Sequence, residues 1–368
     1  ELSKQEYVAQ GNNPDSYIPG TFDKNNISLR LCVDYFFLNS FLTHTSLIQP
    51  SPLAQIKALY GMKYISIFDT SSAFFSMNLS SESAKWTGFD TGIRGFSRSI
   101  HVKCPMGLLS SSAMLNNSLT YTFRGIENVS LYSDNILLMS KTENEMISLV
   151  DKVLNRLRSH GWRLRPSKMY IGIQKKVNIY GYQLDLENQT LSPKNDHIQA
   201  LRQTKLPETK TALRSFLGGI QFISPFLCLA SDDLANLYSL TKLTSLRWND
   251  ETLTSFNNIL KLLQHENLIY VCLPDYTRML FAGCDSSTQR CSWVVWQLCD
   301  SNKPRIISYN AKNFVEKSKN YTIALLELMG IFYCLKNIYE EFGEHQPRLQ
   351  IFTDSLPILL CIFGSKHN

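Results

Sequence analysis

The sequence has no C-x-x-C pair, and its nine cysteines are odd in number and scattered. That excludes the usual zinc and redox spacings. Cys284 and Cys291 are the closest spacing of interest and fit no zinc pattern, so reduced, buried thiols of an intracellular protein are expected. No apolar run approaches the ~18–20 residues of a membrane helix, so no membrane partner is expected. Charge of either sign is sparse, at 18%, which argues against a disordered polyelectrolyte. The excess of Lys plus Arg over Asp plus Glu is only 37 − 31 = 6. A mild basic balance is compatible with a phosphate-rich partner but does not select one. Internal repeats and low-complexity tracts are absent as well.

What remains is an ordinary globular composition, 44% hydrophobic over 368 residues, enough for two or three domains. The pattern still runs at Glu1 and at Asn368, so the chain reads as an excerpt of a larger polypeptide. Asn-x-Ser/Thr triplets such as Asn78-Leu79-Ser80 read as chance.

Residues 1–28 are polar and rich in Asn, Ser and Gly, an irregular lead-in. Strands are expected at 31–36 and at Lys63–Asp69, the second supported by β-branched residues. Val129–Ser140 (VSLYSDNILLMS) reads as strand, polar tip, strand, and Asp and Asn tolerate the turn that 133–135 need. A helix follows. Thr142 and Glu145 have capping-box spacing, while Met146, Leu149, Val150, Val153, Leu154 and Leu157 form one apolar stripe that ends at Gly161. A strand pair is expected around 178–184, with a turn near Glu187-Asn188. From about Ser192 to 275 the pattern is helical. Beyond Arg278 three short strands (279–285, 291–298, 305–309) precede a helix at 321–341 and a strand at 348–353, an α/β unit.

Two acids, Asp69 and Asp134, stand where strands hand over to turns. For one Asp alone, turn chemistry is the commoner explanation. If the two strands are neighbours, the carboxylates converge on one sheet edge and repel unless a cation joins them. Magnesium takes such hard oxygen ligands, and two ions about 3.5–4 Å apart can clamp both oxygens of a phosphoryl displacement.

The ordered set of motifs resembles the reverse transcriptase of LTR retrotransposons, most nearly the gypsy type and its retroviral relatives. LRLCVDYFFLN (29–39) resembles the fingers motif, and IFDTSSAFFSMNLSSESAKWTGF (67–89) the first catalytic-Asp motif. CPMGLLSSSAMLNNSL (104–119) resembles the Pro-aromatic-Gly motif with its following helix. LYSDN (131–135) resembles the Tyr-x-Asp-Asp hairpin, RLRPSKMY (163–170) the Leu-x-Pro-x-Lys segment, and IYGYQLD (179–185) the primer-grip hairpin. PETKTALRSFLGGIQFISPF (207–226) resembles the thumb–connection stretch. Each motif is weak alone; the series in this order is strong and covers nearly everything after residue 28.

The resemblance implies a multidomain α+β and α/β fold. Its parts would be fingers and palm at 29–190, a thumb/connection region at 191–275, and a C-terminally incomplete ribonuclease H-like domain at 276–368. It implies that Asp69 and Asp134 hold metal, that Arg30 meets the triphosphate, and that Phe74 is the steric gate against a 2′-hydroxyl. Met106 would line the nucleotide pocket. Lys168, Arg163 and Arg165, with Arg156 and Arg158, would lie near backbone phosphates, and Trp162 could pack or stack among them. For those arginines a solvated helix end is about as frequent. Gly181 and Tyr182 would help place the primer terminus; a plain hairpin is the competing view.

Three departures stand out: Asn135 where the family has a second Asp, Phe36 where it has Arg, and Met106 where it has an aromatic residue. Loss of one charged ligand commonly costs on the order of 10²–10³ in rate.

The last third carries a second resemblance. AGCDSSTQRCSWVVWQL (282–298), NYTIALLELMGIF (320–332) and IFTDSLPIL (351–359) resemble segments of ribonuclease H, with Asp285, Glu327 and Asp354 as its acids. The family's fourth acid and mobile His would lie beyond Asn368. The implied cofactor is Mg²⁺, two ions per site, with Mn²⁺ a substitute. The implied partners are an RNA and DNA primer–template, deoxynucleoside triphosphates and other segments of a pol polyprotein. The implied location is intracellular, in a cytoplasmic virus-like particle and/or the nucleus. Two functional readings follow: a working polymerase–nuclease, and a relic that keeps the fold and nucleic-acid binding alone. A structural protein with no nucleic-acid role is a third, disfavoured by the ordered motifs.

Overall fold

The computed structural model describes residues 8–10, 21–22, 29–30, 33–43, 49–91, 98–172, 175–227, 231–264, 268–314, 321–342 and 347–358. They divide into two compact units, 1–49 with 63–173 and 50–62 with 174–368.

The first unit opens with β1 (Val8–Gln10), β2 (Thr21–Phe22) and β3 (Leu29–Arg30). The lead-in is therefore not wholly irregular. β1 adds antiparallel to a later strand, Val8 opposite His101, a tertiary pairing that a polar segment does not announce. The described part of the strand expected at 31–36, residues 33–36, forms no strand. Residues 31–32 lie outside the described residues, and α1 (Phe36–Asn39) follows directly. Asp34 Oδ1 accepts the Phe36 N–H at 2.8 Å, a local bond that favours a turn over a strand. Next comes α2 (Pro52–Lys57), which belongs to the second unit.

The centre of the first unit is formed by β4 (Tyr64–Asp69), α3 (Ser81–Lys85), β5 (Phe89–Asp90), β6 (Arg98–His101), α4 (Ser111–Thr122), β7 (Val129–Tyr132), β8 (Asn135–Ser140), α5 (Glu143–Ser159) and β9 (Tyr170–Gly172). β7-β8-β4-β9 make one antiparallel sheet and β1-β6-β5 another. Phe68, Ile136 and Leu138 pack with Leu115 and Leu119 of α4 and Met146, Leu149, Val153 and Leu157 of α5. Strand residues alternate faces, so Asp69 and Asn135 point away from those helices. The α5 capping box is present. Leu154, expected in the apolar stripe, is 38% exposed; it sits at the stripe's margin.

The second unit continues with β10 (Lys176–Ile179), β11 (Tyr182–Asp185), β12 (Thr190–Pro193), α6 (Asn195–Arg202), α7 (Lys210–Ile223), α8 (Ser231–Lys242), α9 (Asp250–Leu262) and β13 (Val271–Cys272). The stretch after 191 is thus not purely helical: β12 starts it, and β13 returns to pair with β12. A hydrophobic cluster joins α7, α8 and α9 through Leu213, Phe216, Leu237 and Phe256. The final α/β piece is β14 (Leu280–Ser286), β15 (Arg290–Leu298), β16 (Pro304–Asn313), α10 (Ile323–Phe342) and β17 (Leu349–Phe352). Its sheet order is β16-β15-β14-β17, with β17 parallel to β14. Leu280, Ala282, Trp293 and Val295 share a core with Ile331, Cys334 and Ile338 of α10.

Candidate active sites

In the first unit the β4–β8 register sets Asp69 opposite Asn135. Directly paired residues of antiparallel strands project to the same face. β7 and β8 are joined by Ser133-Asp134 alone, since Tyr132 pairs with Asn135. Only Ser133 of the two has a positive φ, +54°, the sign pattern of a type II′ hairpin. The left-handed residue is therefore the serine, not the Asp or Asn expected to absorb the turn. The hairpin tip is tied back to β4: Thr70 donates from its backbone N–H (3.1 Å) and its hydroxyl (3.0 Å) to the Asp134 carbonyl. The Asn135 amide lies 3.4 Å from Asp134 Oδ1. Asp69, Asp134 and Asn135 are thus brought together at one end of the sheet.

Basic groups stand beside them. Thr70 bridges to Leu164, the Arg165 N–H donates to the Asp69 carbonyl at 3.0 Å, and Ser71 N–H donates to the Arg163 carbonyl at 2.7 Å. Arg165 Nε and Lys168 Nζ are each 3.9 Å from the Asp69 carboxylate. These are loose pairs, partly open to water and weak in energy. Arg163 is exposed. Arg156 is otherwise occupied, its guanidinium donating to the Thr122 carbonyl at 2.9 Å, and Trp162 Nε1 donates to Thr122 Oγ1 at 2.9 Å. Both tie α5 and the turn after it to α4, and of the packing and stacking raised for Trp162 its bond to Thr122 is the packing one.

Phe74 lies in a 3₁₀ turn five residues after Asp69, half-buried against the sheet–helix core. Met106 is 46% exposed in the loop that follows β6. Arg30 is described as backbone in β3, paired with Thr21; its side chain lies outside the described residues. Phe36 is 82% exposed on α1.

In the second unit the parallel register sets Gly283 of β14 level with Phe352 of β17. Asp285 and Asp354 each lie two residues further on and are both exposed. Glu327 sits in the first turns of α10 and is 4% exposed. Its Oε1 accepts the Ser286 N–H at 3.2 Å, while its Oε2 is buried with no hydrogen-bond partner. Burial, reinforced by the carboxylates of Asp354 and Asp285 and opposed by the Ser286 N–H, pushes the Glu327 carboxyl above the usual range. The three acids therefore feel one another. Among the described residues, no three His, Cys, Asp or Glu side chains stand in ready ligand geometry.

Gly181 and Tyr182 lie at the tip of the β10–β11 hairpin, where Tyr180 and Gly181 both have positive φ (+50° and +86°). That is the type I′ pattern. The Tyr182 ring stacks on Phe222 of α7 at 4.7 Å.

Comparison with known proteins fits this geometry. Residues 24–184 match the model of the family described as reverse transcriptase (RNA-dependent DNA polymerase), and residues 248–349 that of the RNase H-like domain found in reverse transcriptase. Together the two matches span most of the chain. The chain thus carries a reverse transcriptase domain and an RNase H-like domain. The chain is 24% identical over 307 residues to the genome polyprotein of Petunia vein clearing virus, covering 82% of this chain and 14% of that protein. It is 23% identical over 356 residues to the Transposon Tf2-7 polyprotein of Schizosaccharomyces pombe, covering 93% and 25%. It thus spans a quarter or less of these curated relatives.

In fold it is similar to the foamy viral protease–reverse transcriptase dRH in complex with double-stranded DNA. The TM-score is 0.82 at 20% identity, over 98% of this chain and 62% of that one. It is also similar to the foamy viral protease–reverse transcriptase in complex with RNA/DNA hybrid, with a TM-score of 0.81 at 20% identity, over 97% and 48%.

Two residues escaped sequence reasoning. Asn39 bonds the loop carrying Met106 (2.9 and 2.8 Å). Gly330 lets α10 approach the RNase H-like sheet: a Cβ there would lie 2.4 Å from Ser286 Oγ and 3.2 Å from Cys291 Cβ. Gly330 offered no signal beyond a glycine within a helical pattern; Asn39 offered only its place in LRLCVDYFFLN.

Proposed function

We propose that this chain extends a primer along an RNA or DNA template with deoxynucleoside triphosphates and cuts the RNA strand of the resulting hybrid, as part of a retroelement pol polyprotein acting inside the host cell. The observation that carries this reading is the pairing of Asp69 with Asn135, which gathers Asp69, Asp134 and Asn135 at one end of the sheet beside Arg165 and Lys168. Asp69 and Asp134 would hold Mg²⁺, or Mn²⁺ in its place. In the RNase H-like domain Asp285, Glu327 and Asp354 would do so; the buried Glu327 Oε2 without a hydrogen-bond partner fits a cation, which would satisfy it. The ions would supply charge neutralisation and orientation at the reacting phosphate.

The protein groups have separate tasks. Phe74 would exclude a 2′-hydroxyl, and Arg30 and Met106 would face the incoming nucleotide. Arg163, Arg165 and Lys168 would meet backbone phosphate, Lys168 and Arg165 exchanging Asp69 for nucleic acid once a cation takes the carboxylate. Gly181 and Tyr182 would seat the primer end.

The test is Mg²⁺-dependent incorporation of deoxynucleotides on a primed RNA template, with Asp69→Ala as control. Extension well above the Asp69→Ala background is expected; equal signals would defeat the polymerase reading. The second reading, a catalytically impaired relic, is favoured by Asn135, which brings no charge to the site. It predicts salt-sensitive primer–template binding without turnover. Asn135→Asp separates the two. A gain on the order of 10²–10³ marks an impaired polymerase, and no gain over an active parent marks a site that already works with the amide.

A further inference from the structure

Asn39, the last residue of α1, spends its whole side-chain amide on one distant loop. Its Nδ2 donates to the Gly107 carbonyl at 2.9 Å, and its Oδ1 accepts the Leu109 N–H at 2.8 Å. The loop's other end is held by Ser111 Oγ, which donates to the Pro105 carbonyl at 2.9 Å. Between these anchors Met106 stands 46% exposed and Gly107 takes φ +94°. A Cβ on Gly107 would lie 3.6 Å from the Tyr35 ring and from the Val33 carbonyl, so the segment leading into α1 is also the loop's floor. α1 buries none of its own residues. Phe36 and Phe37 are 82% and 76% exposed, so apolar packing of those rings does not hold α1 in place.

We propose that Asn39 is a positioning residue for the incoming nucleotide: by bonding both sides of Gly107 it fixes the Pro105–Leu109 loop that presents Met106. The inference rests on the polymerase reading above. A fixed loop pays no ordering entropy when the nucleotide binds, so losing the amide weakens nucleotide binding more than turnover.

The experiment compares the parent chain with Asn39→Ala and Asn39→Asp, each also in the Asn135→Asp background. It measures single-nucleotide incorporation on primed RNA, primer–template affinity by salt-controlled titration, and amide exchange of peptides spanning 105–112. Asp keeps the acceptor for the Leu109 N–H and loses the donor to the Gly107 carbonyl, so it serves if Ala fails to fold. A factor of ten is about 1.4 kcal/mol, of the order two lost hydrogen bonds can supply. The expected result is therefore a KM for the deoxynucleotide raised about ten-fold, with kcat and primer–template affinity within about two-fold, and faster exchange in the loop. Faster exchange with unchanged KM overturns the assignment, as does an equal loss of primer–template affinity. If neither the parent nor Asn135→Asp incorporates any nucleotide, the polymerase reading falls and takes this one with it. Incorporation with an unmoved KM sinks only the role of Asn39.

Discussion

Glu327 carries unrelieved strain in its surroundings. It is buried, its Oε2 lacks a hydrogen-bond partner, and burial with two neighbouring carboxylates raises its pKa. A buried ionised group with unsatisfied oxygens costs stability, and a neutral amide costs less. Glu327→Gln is therefore expected to raise the melting temperature in metal-free buffer, by about 1–2 kcal/mol of stability. It should also remove the stabilisation that added Mg²⁺ gives the parent and abolish hybrid cleavage. A thermal melt with and without Mg²⁺ checks this; unchanged Mg²⁺ stabilisation in the variant would assign the ion elsewhere. The acids themselves were legible in the sequence because each closes a strand or sits on an apolar helix stripe. Their environment was not, since the Ser286 N–H and the orphaned oxygen arise only from the approach of α10 to β14.

At the scale of elements, contact distance decides what the sheets and helices can carry. At Gly330 α10 comes close to its sheet, and an added methyl would meet Ser286 Oγ at 2.4 Å. Gly330→Ala should push the helix outward, costing about 1–3 kcal/mol as overpacked cores do, and hybrid cleavage should fall with it because Glu327 rides on the same helix. Chemical denaturation with a cleavage assay reads both, and normal cleavage at lowered stability would uncouple them. On α5, Thr142 accepts the Glu145 N–H at 3.3 Å within a full capping box. Thr142→Ala should cost about 1 kcal/mol and leave nucleotide KM unmoved.

Elements with periodic or capping signals (α5, the β7–β8 hairpin, β14, α10) were readable from local pattern. The helix at Phe36–Asn39 was not, because a bond from Asp34 overrode an apolar run that reads as strand. Nor were β1 and β13, short segments that exist only through their partners.

Over the molecule as a whole, one buried side chain adds to the acid sensitivity that paired carboxylates such as Asp275 already confer. His101 is 3% exposed, stacks on Phe89 at 5.0 Å, and has no partner for either ring nitrogen. Burial pushes its pKa down to about 4 from 6.5. The unfolded chain then binds the proton more readily than the folded one. Stability is full above pH ~6.5 and falls as the pH drops toward 4, by about 2 kcal/mol at pH 4.5 from this group alone. Urea unfolding at pH 7 and 4.5 measures the loss. His101→Phe, which keeps an aromatic ring in an aromatic site, should flatten that acid limb, and an identical slope in the variant would place the effect elsewhere.

By itself the sequence determined which acids, amides and glycines this chain has to work with, in what order, and on which strands and helices most of them ride, because period and capping are local properties. Tertiary structure alone decided that Asp69 faces Asn135 across two strands and that Arg156 and Trp162 brace helices. It decided equally that Glu327 is left with an unsatisfied oxygen and that Asn39 reaches a loop 68 residues away. Register and close approach are relations between distant segments, and no local pattern encodes them.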